Sequence, residues 1–217
     1  MHTFLAILFD LDGVLVDSTQ SVSYQWLTWA AENHVPAEVM HPIMHGRRTA
    51  EVIQLAAPHL DAEAEARKIE ERGANDNDRV FVVPGASELL QSLPENRWGV
   101  VTSATRYVAT IRLRHFHLPV PRVLVTADDV ARGKPDPAPY LMGAQLLHTE
   151  PKECLVIEDA PAGIRSAHAA GMRAIGVTTT FAATELGEAD AVVGALREAR
   201  VVLRDGRLSV ELDPRPA

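Results

Sequence analysis

Apolar and β-branched residues gather in short unbroken runs: Leu5–Phe9, Trp98–Thr102, Val123–Thr126, Cys154–Ile157 and Ala174–Val177. Between them, apolar positions recur at helical spacing over Ala86–Leu93, Val108–Phe116, Ala138–Leu147 and Ile164–Ala170. Strands alternating with helices of this length form βαβ units, and strands without a polar face are buried on both sides. The pattern predicts an α/β fold with a Rossmann-like, doubly wound parallel sheet. One region departs from it. Residues 19–82 hold helical patterns, SYQWLTWAAENH, RTAEVIQLAAP and DAEAEARKIEERG, and no convincing strand. They read as a helical insert after the first strand, with Pro84-Gly85 as the return point. The predicted division is therefore a core of residues 1–16 and 84–217 and an inserted small helical domain of residues 17–83. Near the end, Asp205-Gly206 between two β-like runs signals a hairpin, and the final DPRPA is expected to be loose.

Composition narrows the possibilities. Apolar residues make up 47% of the 217 residues, enough for a substantial core. No apolar run is long enough for a membrane span, and Met1-His2-Thr3 does not read as a secretory leader. Cys154 is the only cysteine, so no intrachain disulfide can form, and a reducing, cytoplasmic setting fits. A net charge of −8 argues against nucleic acid as a partner. The same charge would repel a phosphorylated ligand unless local positive charge offsets it, and only Lys68, Lys134 and Lys152 are lysines.

The strand ends supply the candidate chemistry. In an open parallel sheet the ligand lies beyond the carboxyl ends of the strands. The first apolar run stops at Asp10 and Asp12, and Gly13 allows a sharp bend. WGVVTS ends in Thr102 and Ser103, ARGKPDP presents Lys134, and CLVIED ends in Glu158 and Asp159. Carboxylates from two strand ends suit a hard cation with oxygen ligands, and Mg²⁺ fits best, since it is commonly held by one or two carboxylates together with substrate phosphate. The hydroxyls and Lys134 are then available for phosphate oxygens.

In order and spacing, FDLDGVLVDS, VVTS, GKPDP and IEDAPAGI resemble the four motifs of the haloacid dehalogenase superfamily, which consists chiefly of phosphatases. The likeness spans nearly the whole chain, and the helical insert stands where that superfamily carries a cap. The stretch HGRRT and the run IEDAPAGIRSAHAAGM are similar to phosphatases of small sugar and polyol phosphates, among them the 2-deoxyglucose-phosphate and glycerol-phosphate enzymes. The resemblance implies Asp10 as nucleophile, forming an aspartyl-phosphate, and Asp12 as general acid and base. It implies Mg²⁺ held by Asp10, the Asp12 carbonyl and Asp159, with Glu158 supporting the metal through water or Lys134. Ser103, Thr102 and Lys134 would bind phosphate. In the insert, His45, Gly46, Arg47 and Arg48 would meet the sugar, with one of these side chains turning outward. Trp26 and Trp29 are expected in a core, and the DAEAEARKIEERG run on a solvated face. The implied partner is a small phosphorylated sugar or polyol, with a monomer as the default state. A phosphomutase on the same fold and a catalytically idle binding protein are the alternatives. The former has a cap histidine near the position of Val22, which this chain lacks.

Overall fold

The computed structural model describes residues 3–212. In chain order the elements are β1 (Thr3–Phe4), β2 (Ala6–Phe9), β3 (Val16–Asp17), α1 (Thr19–Glu32), α2 (Ala37–Met40), α3 (Thr49–Ala56), α4 (Ala62–Asn75) and β4 (Phe81–Val82). They continue with α5 (Ala86–Ser92), β5 (Trp98–Val101), α6 (Arg106–His115), β6 (Leu124–Val125), α7 (Ala138–Leu146), β7 (Cys154–Glu158), α8 (Pro161–Ala169), β8 (Arg173–Val177), β9 (Ala191–Val193), β10 (Ala199–Arg204) and β11 (Arg207–Leu212). The expected final loose residues lie outside the described residues.

A six-stranded sheet in the order β6-β5-β2-β7-β8-β9 forms the centre, and every pairing in it is parallel. The strands β2, β5 and β7 are buried throughout, as their continuous apolar sequences require. Ile7, Phe9, Val100 and Ile157 pack on one face with Leu90 and Leu113. Ala6, Leu8, Val101 and Val156 pack on the other with Tyr140, Ala144 and Ile164. Successive strands lie outward from β2 on both sides, so the order of winding reverses between β2 and β7. That switch point leaves a crevice at the carboxyl ends of these two strands.

Three details differ from the sequence reading. The strand expected over Leu5–Phe9 begins at Ala6, and an additional strand precedes it: β1 pairs antiparallel with β11 in a separate three-stranded sheet. The region thought free of strands contains Phe81–Val82, which pairs with Val16–Asp17 as a two-stranded ribbon. Helix α8 begins at Pro161, three residues before the apolar pattern starts, because proline suits a first helical position whose N–H has no partner anyway.

The ribbon carries the chain out to α1–α4 and back. Those helices have their own apolar cluster around Trp26, Trp29, Met40, Val52, Ile53, Ala66 and Ile69. Trp29 is fully buried and its Nε1 donates to Glu65 at 2.9 Å, in keeping with a core role. No helix among the described residues is long and apolar enough to cross a membrane.

Candidate active site

Asp10 follows β2 directly, and its main-chain N–H donates to the Ile157 carbonyl of β7 at 3.0 Å. This places the side chain between the two strands at the switch point. Gly13 then turns the chain with φ of +82°, and a Cβ there would lie 1.9 Å from an Asp159 carboxylate oxygen. Only glycine allows the two acidic loops to approach this closely.

Lys134 is 1% exposed. Its Nζ donates to Asp10 Oδ1 at 2.9 Å, Glu158 Oε1 at 2.7 Å and the Val101 carbonyl at 3.0 Å. All three ammonium donors are thereby engaged. The resemblance places Lys134 on phosphate; the structure shows its protein partners, with Nζ set against Asp10 and Glu158. Glu158 is fully satisfied as well: Tyr140 donates to Oε1 at 2.9 Å, and the main-chain N–H groups of Asp159 and Ala160 donate to Oε2 at 3.0 and 3.1 Å. Tyr140 was not anticipated, since a tyrosine inside an apolar helix reads simply as core.

Asp10, Glu158 and Asp159 offer ligand atoms within 4.8 Å of one another, and all three are buried. Three carboxylates share a single ammonium. Burial raises Asp10 from 3.8 to about 7, with Lys134 opposing the rise. Burial raises Asp159 strongly too, reinforced by Glu158 and Asp10 and opposed by the Thr180 hydroxyl. Full ionisation of this set leaves two negative charges uncompensated. That deficit fits a divalent cation, and with Glu158 already saturated the available oxygens are those of Asp10 and Asp159.

A cleft opens over these groups. Asp10, Asp12, Thr102, Ser103 and Asp159 line its floor, and His45, Gly46 and Arg47 come from the helical side. Asp12 Oδ1 accepts from Ser18 Oγ at 2.6 Å and pairs with Arg112, a buried residue of α6. Thr102 Oγ1 accepts from the Ala104 N–H at 3.1 Å, and Ser103 Oγ donates across to the Gly46 carbonyl at 3.3 Å. Gly46 turns with φ of +75°, where a Cβ would come within 2.7 Å of that of Ala160. Burial lowers the His45 pKa, which favours the neutral ring. Arg48 is the residue of the HGRR stretch that turns away. Its guanidinium donates to the Ala127 and Ala131 carbonyls at 2.7 and 3.1 Å, so it clamps the loop before Lys134 rather than meeting a ligand. Asp17 makes no contact in the cleft and instead holds Thr19 at the start of α1.

Arg112, Ser18, Thr180 and Glu70 also line the cleft and were missed in the sequence. Arg112 stands among arginines that read as the basic end of a surface helix, and Glu70 lies inside the charged run assigned to solvent.

A doubly wound sheet with a buried carboxylate–lysine cluster at its switch point, roofed by helices, is the setting of an acidic hydrolytic site whose carboxylates could hold a cation. The chain belongs to the haloacid dehalogenase-like hydrolases, whose family model matches residues 7–177. It is 39% identical over 199 residues to hexitol phosphatase A of Escherichia coli, covering 89% of this chain and 92% of that one. It is 36% identical to glycerol-1-phosphate phosphohydrolase 2 of Saccharomyces cerevisiae, covering 81% and 75% of the two chains. Among solved structures it resembles a hydrolase from Pseudomonas syringae, with a TM-score of 0.76, 27% identity and coverage of 88% and 94%.

Proposed function

We propose that this hydrolase releases inorganic phosphate from small sugar or polyol monophosphates, using Asp10 as nucleophile and residues 17–83 as a cap over the site. The observation that carries the reading is the buried set of Asp10, Glu158 and Asp159 around Lys134, with one Asp10 oxygen left for chemistry. Asp10 Oδ1 is engaged by Lys134, while Oδ2 has no hydrogen-bond partner among the described residues and the side chain lines the cleft. The names of the relatives, a hexitol phosphatase and a glycerol-1-phosphate phosphohydrolase, support the substrate class.

The chemistry follows from these residues. Asp10 Oδ2 attacks phosphorus, the ester bond to the sugar oxygen breaks, and an aspartyl-phosphate forms. Asp12, beside it in the cleft, gives a proton to the departing oxygen. Water then attacks the phosphoryl group, Asp12 takes its proton, and Asp10 is restored. Lys134 orients Asp10 and favours its ionised form against the effect of burial. Ser103 and Thr102 offer hydroxyls to phosphate oxygens. Mg²⁺ held by Asp10, Asp159 and the Asp12 carbonyl would offset the repulsion between an anionic nucleophile and an anionic substrate.

The direct test is phosphate release from hexitol and glycerol monophosphates in the presence of Mg²⁺ or of a chelator. Release is expected only with the metal. Independently of activity, saturating Mg²⁺ should raise the thermal midpoint, equivalent to about 2.7 kcal/mol at a hundredfold excess over Kd. Asp159→Asn should abolish that rise. Phosphate release undiminished by chelation, or a metal shift that survives Asp159→Asn, would refute the assignment.

Arg47 is the cap-loop group free to read the substrate. It lines the cleft, and among the described residues its side chain makes no hydrogen bond or ion pair. Arg47→Ala is expected to lower kcat/KM for a hexitol phosphate relative to p-nitrophenyl phosphate by about tenfold. Equal losses on both substrates would separate Arg47 from recognition of the sugar.

A further inference from the structure

Helix α4 looks like a solvated surface helix in sequence, yet Ile69, Glu70 and Gly73 face the cleft. Glu70 is unusual among the acidic residues of that helix. It is partly buried and lies against the hydroxyls of Thr49 and Thr105, with Asp128 and Glu63 as like charges nearby. Among the described residues no arginine or lysine pairs with it. Burial accordingly pushes its carboxyl above the ordinary range. A desolvated carboxylate without a cation weakens the fold, and such groups concentrate where they contact a ligand. Its carboxylate oxygens keep acceptor capacity for a ligand.

The charges around it sharpen the point. Arg112 is already paired with Asp12, so Arg47 is the cation of the cleft without a side-chain partner among the described residues, and Glu70 lines the same cleft. An arginine only donates hydrogen bonds and an ionised glutamate only accepts them. A hydroxyl does both, and a chain of hydroxyls is matched by this pair with Thr49 beside it. A second phosphate or a carboxylate is not, because it would be brought up to an uncompensated negative charge in a partly dehydrated site.

We propose that Glu70 is a specificity-determining residue that accepts hydrogen bonds from the hydroxyls of the substrate's sugar or polyol portion and excludes a second anionic group. The enzyme would thus select monophosphates with a neutral, hydroxylated tail and discriminate against bisphosphates and acidic phosphate esters. This rests on the phosphatase reading above and names the part of the substrate that the reading leaves open.

The test compares wild type with Glu70→Gln, which keeps size and polarity and removes the charge. Three compounds are used: a hexitol monophosphate, the corresponding hexitol bisphosphate and p-nitrophenyl phosphate, which has no hydroxyls. The variant is expected to lower kcat/KM for the monophosphate relative to p-nitrophenyl phosphate by about tenfold, chiefly through KM. It should raise the bisphosphate-to-monophosphate ratio by about tenfold or more. Unchanged ratios, or a wild type that already prefers the bisphosphate, would overturn the proposal. Calorimetric binding of the same compounds to Asp10→Asn, with and without Glu70→Gln, separates recognition from turnover. Binding of monophosphate that depends on Glu70, in a protein whose wild type releases no phosphate, would refute the phosphatase reading and sustain this one. Turnover of all three compounds with ratios indifferent to Glu70 would do the reverse.

Discussion

Asp10→Asn is expected to reduce phosphate release by about 10⁴-fold or more and to leave the protein folded. The reason lies in what the substitution keeps. Asparagine has the same shape, and its carbonyl oxygen still accepts from Lys134 in place of Oδ1, which now stands at 2.9 Å. What it loses is the anionic oxygen that would bond to phosphorus. Stability as a function of pH gives a second readout. Burial raises the folded-state pKa of Asp10 from 3.8 to about 7, so between those values the folded protein binds a proton that the unfolded chain has released. Asp10 therefore contributes stability below about pH 4 that is lost as pH rises toward 7. In chelator, Asp10→Asn should remove this component and lessen the fall of the thermal midpoint between pH 4 and 7, leaving the part due to Asp159. A labile phospho-enzyme still formed by the variant would show that another group attacks phosphorus. A wild-type midpoint as flat as the variant's would show that Asp10 is not desolvated as the geometry implies.

What sequence could and could not reveal about this site follows from how far each residue's partners lie along the chain. Asp10 and Asp12 are conspicuous because a fully buried strand, Ala6–Phe9, ends on them, and Glu158 and Asp159 because β7 ends the same way. Lys134 stood out through the scarcity of lysine, but its three acceptors come from β5, β7 and the loop after β2, and only the fold assembles them. That is why the sequence does not disclose its ion pair with the nucleophile. Arg48 shows the same limit: its acceptors are main-chain carbonyls about eighty positions away, which no side-chain pattern encodes. Glu70 and Arg112 were hidden for a different reason. Charged residues on a helix normally mark the solvent face, and here one turn of α4 and one of α6 face a polar cleft that exists only once the helices sit over the sheet. The short ribbon of β3 and β4 is two residues on each side, too short for any period to register. The additional strand before Leu5 depends on pairing between Thr3 and Ser209, near the opposite end of the described chain.

Lys134→Met should be the most destabilising single change at this site, costing about 3–5 kcal/mol near pH 8 in metal-free protein. Methionine fills much the same space but leaves Asp10 and Glu158, which share the Nζ at 2.9 and 2.7 Å, as adjacent carboxylates without a counter-charge, and it leaves the Val101 carbonyl unpartnered. The pH dependence identifies the cause. The pKa of Lys134 is raised by Asp10 and Glu158 against the opposing effect of its burial. Its own contribution is therefore complete below the unfolded value of 10.5 and is lost only above it, so it does not vary between pH 5 and 8. Variation in that window must come from the carboxylates. At pH 5 Asp10, raised to about 7 even beside Lys134, takes up a proton in the variant at little cost. At pH 8 it must either ionise against Glu158 or hold a proton against the solvent, and each alternative weakens the fold. Urea denaturation in chelator should accordingly show a deficit that grows from pH 5 to pH 8, and an equal deficit at both would mean that lost packing dominates. Placing Lys134→Met in the Asp10→Asn background isolates the pair. With one carboxylate already neutral, only Glu158 is stranded, and Tyr140 and two main-chain N–H groups still hold it. The double variant should therefore lose less on removal of Lys134 than the wild type does, and strict additivity of the two changes would mean that Asp10 and Lys134 are not energetically coupled.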